Sequence, residues 1–181
     1  MSAPAFTSPP PLETERLRLR AFRAEDFEAE AAFYADDRSA GVGGPKPRDE
    51  AFRTFAHFIG HWTLRGFGMW ALEETSTGLY LGRAGLHAPE GWPEPEIGWV
   101  LTAPQAEGRG YAGEAARAAR AWAYGTLGWT TAISLILPNN ARSRRLAARL
   151  GARHEDTIRF RGLDAVEVWR HPGPDAVEDA A

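Results

Sequence analysis

Hydrophobic and polar positions change their period several times along the chain, and each change marks an element. Residues 16–20, Arg-Leu-Arg-Leu-Arg, alternate at period 2, the pattern of a strand with one buried face. The Ala, Glu and Phe content of residues 24–34 favours a helix. Closely spaced glycines and prolines make residues 39–47 a loop. A second helix is predicted over residues 48–65, with Phe52, Phe55, Ile59 and Trp62 at helical spacing and Gly66 stopping it.

The middle of the chain is β-rich. Apolar segments 69–73 and 79–87 are joined by a short polar link, residues 74–78, which reads as a hairpin. A turn at Gly91-Trp92-Pro93 leads to a further strand over residues 96–101. Short links between consecutive strands imply antiparallel pairing. The pattern then changes to helix (110–128), strand (132–137) and helix (139–150), which requires a parallel crossover pair. In the first of these helices Ala112, Ala115, Ala116, Ala119 and Ala123 permit close approach to a sheet. Strands over 157–161 and 165–170 close the fold. The expected class is a mixed α/β or α+β sheet in a single domain, residues 12–171. A flexible segment (1–11) and a flexible acidic tail (172–181) flank it.

Composition narrows the chemistry. The chain has 181 residues, enough for one ordinary domain, and is 44% hydrophobic, which excludes global disorder. It has no cysteine, so disulfides, thiolate metal sites and a cysteinyl acyl-enzyme are all excluded. No apolar run approaches the ~20 residues of a membrane span, and no signal architecture opens the chain, so a soluble cytoplasmic protein is expected. The net charge of −3 hides an uneven distribution. Residues 105–153 hold eight arginines against two carboxylates, Glu107 and Glu114, between two acidic blocks. That pattern suits a local anion site, although solvated helix faces would produce it equally well.

The most informative stretch is Gln105-Ala106-Glu107-Gly108-Arg109-Gly110-Tyr111-Ala112, between a strand and a long helix. Its glycines let backbone N–H groups approach a ligand closely, and the helix start adds unpaired donors and a positive dipole end. In physical terms this is a phosphate cradle. Gly108, Gly110 and Gly113 also spell the dinucleotide pattern, but Pro138-Asn139-Asn140 stands where that fold needs a carboxylate, and antiparallel hairpins precede the loop. A phosphate-loop NTPase is excluded because Glu114 follows Gly113 where Lys and Ser/Thr are needed.

The same loop, Gln105-x-x-Gly108-x-Gly110, resembles the pyrophosphate loop of the GNAT superfamily of acetyl-CoA-dependent N-acetyltransferases. Leu137-Pro138-Asn139-Asn140-Ala141-Arg142-Ser143, followed by Leu150-Gly151-Ala152, is similar to a downstream element of the branch containing the ribosomal-protein acetyltransferases. Residues 12–20 and 96–101 resemble its first and fourth strands, so the resemblance spans roughly residues 12–170. It implies a GNAT-like fold, with antiparallel N-terminal strands and a splayed parallel pair into which pantetheine inserts. It also implies acetyl-CoA as co-substrate and no metal. Val100 and Leu101 would then offer backbone groups to pantetheine or the acetyl carbonyl. Gly108, Arg109, Gly110, Tyr111 and Ala112 would hold the pyrophosphate, and Asn140 the pantetheine arm. Ser143 would lie near the thioester sulfur and supply the departing thiolate with a proton, unless a tyrosine does so. Its alternative is a bond back to the carbonyl of Asn139. Glu96 is the preferred base, alone or through water, with Glu94 as fallback and strand-end bonding as the equal alternative.

Other candidates carry less. His57 and His61 stand at i, i+4, a metal-ligating spacing that lacks a third ligand. Trp62, Trp70, Trp92 and Trp99 suit core packing, with Trp70 and Trp92 also able to line an acceptor pocket. Lys46, the single lysine, reads as surface. Three functions compete: direct acetyl transfer to a primary amine, a coenzyme-binding sensor without turnover, and, ranked last, a nucleic-acid binder using the 142–153 face. The acidic first block would suit a cationic acceptor. A homodimer is as compatible with the sequence as a single chain.

Overall fold

The computed structural model describes residues 8–178. Strands β1 (Leu12–Glu13) and β2 (Leu17–Arg20) open the fold, followed by helix α1 (Asp26–Ala35), a 3₁₀ turn (Asp37–Val42) and α2 (Arg48–Arg65). Then come β3 (Met69–Glu74), β4 (Tyr80–His87), β5 (Glu96–Leu101), α3 (Tyr111–Leu127), β6 (Ile133–Ile136) and α4 (Ala141–Arg149). The chain ends with β7 (Arg153–Phe160), β8 (Leu163–Arg170) and the short α5 (Pro174–Glu178). All eight strands form one sheet in the order β1-β2-β3-β4-β5-β6-β8-β7, antiparallel throughout except between β5 and β6. The expected mixed sheet with one parallel pair is the one observed.

The main core forms where the alternating residues of β2 meet the alanine face of α3. Leu17 and Leu19 are fully buried, and Ala115, Ala116, Ala119 and Ala123 let the helix lie close against them. The buried stripe of α2 is Ala51, Phe55, Phe58 and Trp62, at i, i+4, i+7 and i+11. Phe52 and Ile59, expected to share that stripe, lie one residue round the helix and are largely exposed, although Phe52 packs edge-on against Phe27.

Three further expectations shift. Residues 39–47 do not form a continuous loop: the Asp36 side chain accepts from Arg38 N–H (2.8 Å) and caps the 3₁₀ turn within them. Strand β7 begins at Arg153, four residues earlier than predicted, and β8 at Leu163. β7 is an edge strand with no buried residue, so apolar alternation could not mark its start. Of the two flanking segments, residues 1–7 and 179–181 lie outside the described residues. Pro10 is tied to the core, its carbonyl accepting from Trp70 Nε1 (2.8 Å). Among the described residues no helix is long and apolar enough to cross a membrane.

Candidate active site

The one parallel junction is where the sheet opens. β5 and β6 share a single register pair, Glu96 with Ile133, and separate beyond it. Main-chain bonds that would have continued the ladder are replaced by side chains. Ser134 Oγ donates to the Ile97 carbonyl (2.6 Å), and Leu135 N–H donates to Glu96 Oε1 (3.1 Å). A buried relay supports the first of these. Arg120 Nη1 donates to the Leu150 carbonyl (2.6 Å) and to His171 Nδ1 (3.3 Å), and His171 Nε2 donates to Ser134 Oγ (2.9 Å). Burial pushes the His171 pKa down to about 3, so its ring is neutral, with one nitrogen as acceptor and the other as donor.

Strand alternation sorts β5 into two functions. Thr102 N–H bonds the Leu81 carbonyl, and Arg83 pairs with Val100, so even-numbered residues spend their backbone groups on β4. The carbonyls of Pro95 and Ile97 point to β6, so the backbone groups of Trp99 and Leu101 point into the opening. Val100, expected to share this role with Leu101, therefore contributes only its side chain. Trp99, which the sequence reading treated as packing, takes its place. Leu101 is already engaged on one side, its carbonyl accepting from Arg38 Nη2 (3.2 Å). Side chains sort likewise. Ile97, Trp99 and Leu101 pack with α3, whereas Val100 packs with Phe33, Tyr34 and Ala51 of α1 and α2.

A cleft of about 990 Å³ runs through the opening and holds Gly108, Gly110, Ala112, Asn140 and Ser143 together with Trp99, Val100 and Leu101. Gly108 and Gly110 have φ of +75° and +86°, the left-handed region open to glycine. Helix α3 starts after Gly110 with no side-chain cap, and its first bond is from Glu114 N–H to the Gly110 carbonyl (3.1 Å). The N–H groups of Tyr111, Ala112 and Gly113 have no intrahelical acceptor, a pre-formed anion cradle.

The side chains of Arg109 and Tyr111 turn away from it. Tyr111 is buried, its hydroxyl bonded to Glu74, and the Arg109 guanidinium lies over its ring, 5.0 Å from the centroid. Charge comes instead from Arg38, Arg117, Arg142, Arg145 and Arg149, all lining the cleft. Among the described residues Glu107 is their one carboxylate partner, bridging Arg38 (Nε at 3.0 Å) and Arg142 across the opening. Arg38 is the residue the sequence reading missed, and the Asp36 cap that places it was the available signal.

At the far side of the cleft, Asn140 caps α4 by accepting from Ser143 N–H (3.1 Å), which leaves its amide nitrogen as a donor. Ser143 Oγ accepts from Trp99 Nε1 (3.2 Å). It makes no bond back to Asn139, and among the described residues nothing takes its hydroxyl proton.

Glu96 stands at the point of the opening with its side chain on the α1–α2 face. Besides Leu135 N–H it accepts from Trp92 Nε1 (2.8 Å). Burial raises its pKa to about 7, outweighing the two donors that favour the charged form. Glu94, the fallback, is held by Arg170 (2.5 and 2.8 Å), which depresses its pKa. That leaves Glu96 as the carboxyl group poised near neutrality.

The family described as "Acetyltransferase (GNAT) domain" matches residues 16–153. The chain belongs to the GNAT acetyltransferase family. An acetyltransferase structure from Agrobacterium tumefaciens str. C58 is 38% identical, covering 92% of this chain and 96% of that one, with a TM-score of 0.84. The uncharacterized protein YkkB of Bacillus subtilis is 34% identical over 155 residues, 82% of this chain and 88% of its own. The ribosomal L7/L12 alpha-N-protein acetyltransferase RimL shares the GNAT fold at 15% identity, with a TM-score of 0.72 over 88% of this chain and 91% of that one.

Two candidates fall outside this cleft. Both ring nitrogens of His61 are engaged, Nδ1 with the Phe67 carbonyl (2.7 Å) and Nε2 with Ala88 N–H (3.1 Å), so it is not placed as a metal ligand. Among the described residues no three His, Asp or Glu side chains converge as one. Lys46 is half-buried rather than a surface residue, its ammonium 4.7 Å from the Tyr34 ring centroid.

Proposed function

We propose that the chain is an N-acetyltransferase that moves an acetyl group from acetyl-CoA directly to a primary amine in a ternary complex. The observation carrying this reading is Glu96. A buried carboxyl group tuned to about 7 stands at the junction between the glycine-arginine cleft and the α1–α2 face. In this reading the pyrophosphate sits on the N–H groups at the start of α3 and the arginines answer the remaining phosphate charge. The pantetheine arm lies along Trp99 and Leu101. An amine entering from the α1–α2 face attacks the thioester carbonyl: the C–N bond forms, Glu96 takes the ammonium proton, and the C–S bond breaks. The Ser143 hydroxyl hydrogen-bonds the departing thiolate, whose proton then comes from solvent.

The test is to mix the purified chain with acetyl-CoA and a panel of primary amines while following free thiol. Amine-dependent thiol release is expected. Coenzyme binding without release to any amine would make the chain a coenzyme-binding module instead. A Ser143→Ala variant should lose roughly tenfold in kcat with little change in KM for acetyl-CoA, the usual scale for one hydrogen bond to a charged group. Unchanged kinetics would reduce Ser143 to a packing partner of Trp99.

A further inference from the structure

The face of the sheet that carries Glu96 holds a group of rings and one cation that the coenzyme cleft does not use. Trp92, which donates to Glu96, has the Phe160 ring edge-on at 4.9 Å and the His87 ring edge-on at 4.7 Å. His57 follows at 5.3 Å from His87. The β7–β8 turn closes over this group through Arg161, whose guanidinium lies 4.8 Å from the Trp92 centroid. Arg161 is the one non-glycine residue with positive φ among the described residues, at +50°, so the turn holds it in an uncommon conformation.

Two features of this group lack an answer within the chain. Arg161 makes no ion pair among the described residues, while the carboxylates nearby are committed: Glu94 to Arg170, and Glu90 to Arg65 at 3.0 Å. His87 Nδ1 is buried without a hydrogen-bond partner. Burial and the neighbouring cations push the His87 pKa to about 3, so the ring is neutral. Three buried acids of the acidic first block are already paired, Glu30 with Arg83, and Asp26 and Glu73 with Arg20 at 2.8 and 2.6 Å. Trp92, which bonds Glu96, is thus flanked by an exposed cation without an ion pair, Arg161, and by a ring with an orphaned nitrogen, His87.

We propose that the acceptor is an amine carrying a carboxylate a few bonds away, and that Arg161 is the residue that reads this carboxylate. This rests on the N-acetyltransferase reading above and narrows it. A guanidinium near the bound amine also disfavours its ammonium form, so the acceptor arrives closer to the neutral state that attacks.

The test compares acetylation of matched pairs, an amino acid against the amine lacking its carboxylate, and of peptides beginning with Asp or Glu against those beginning with Ala. The wild-type chain should favour the carboxylate member by about tenfold in kcat/KM, the scale of one well-placed guanidinium–carboxylate contact. In Arg161→Gln the ratio should fall to near one, in Arg161→Lys it should partly return, and coenzyme A affinity should stay unchanged. Arg159→Gln, two residues away and paired with Asp164 in solvent, should keep the wild-type ratio. Preference for free amino acids over acidic-start peptides would assign the carboxylate to a small molecule, and the reverse to a polypeptide end. Acetylation without a carboxylate preference, or a preference that survives Arg161→Gln, overturns the assignment and leaves the N-acetyltransferase reading standing. Absence of transfer to every amine overturns both.

Discussion

Replacing Glu96 by glutamine should lower kcat/KM for amine acetylation by about 100-fold or more, the range for losing a positioned general base. The wild-type rate should rise with pH about a midpoint near 7, where Glu96 gives up its proton, and this limb should vanish in the variant. Affinity for coenzyme A should persist, because Glu96 does not line the cleft that holds the arginines. The same substitution has a signature in stability. The folded-state pKa of Glu96, about 7, lies above the ordinary carboxyl value of 4.5, so the folded chain keeps a proton that the unfolded chain has released. Stability from this group is full below pH 4.5 and is lost as the pH rises to 7, by about 3 kcal/mol. Urea unfolding at pH 5 and 7.5 should show that fall in wild type and a shallower one in Glu96→Gln. A pH profile shared by both proteins would remove Glu96 from the chemistry.

Gly110→Val should weaken coenzyme A binding by about 100-fold, the worth of losing two or so charge-assisted bonds. The cause is the backbone rather than the bulk of valine. An added Cβ would meet only Arg16 Nη2, at 3.4 Å, but φ is +86°, where a β-branched residue is strained by about 1–3 kcal/mol. Relaxing that strain turns the peptide planes of the loop and takes their N–H groups out of register. Asparagine, which tolerates this region, should be much milder than valine at 110. Gly125→Ala, with open space around it, should bind normally. Isothermal titration of the three variants distinguishes the causes: equal losses for Asn and Val would mean blockage by the side chain.

Features written in local pattern were legible in the sequence. The glycine loop declares itself because only glycine serves two positive-φ positions in a row of three, and the α3 alanines because a helix lying this close to a sheet needs small residues. The Glu96 candidate followed from its strand. What stayed hidden depends on tertiary geometry. Arg109 adjoins the glycines in sequence, yet its guanidinium lies over the ring of buried Tyr111, while Arg38, about seventy residues upstream, lines the cleft. Val100 and Trp99 exchange roles through parity along β5, which no composition reveals. The phases of β7 and α2 were misjudged for opposite reasons, one strand burying nothing and one helix exposing two apolar residues beside its true stripe.

The sheet is continuous through only one backbone rung at its centre. Five strands on one side and three on the other are sewn together there by Glu96 and Ser134, side chains doing the work of a main chain. Catalysis and architecture thus share a seam: the carboxylate proposed to collect a proton is also a stitch. A chain that folds as wild type but turns over more slowly is therefore better sought at Ser143 than at Glu96. Any drift in sequence at the seam must satisfy two demands at once.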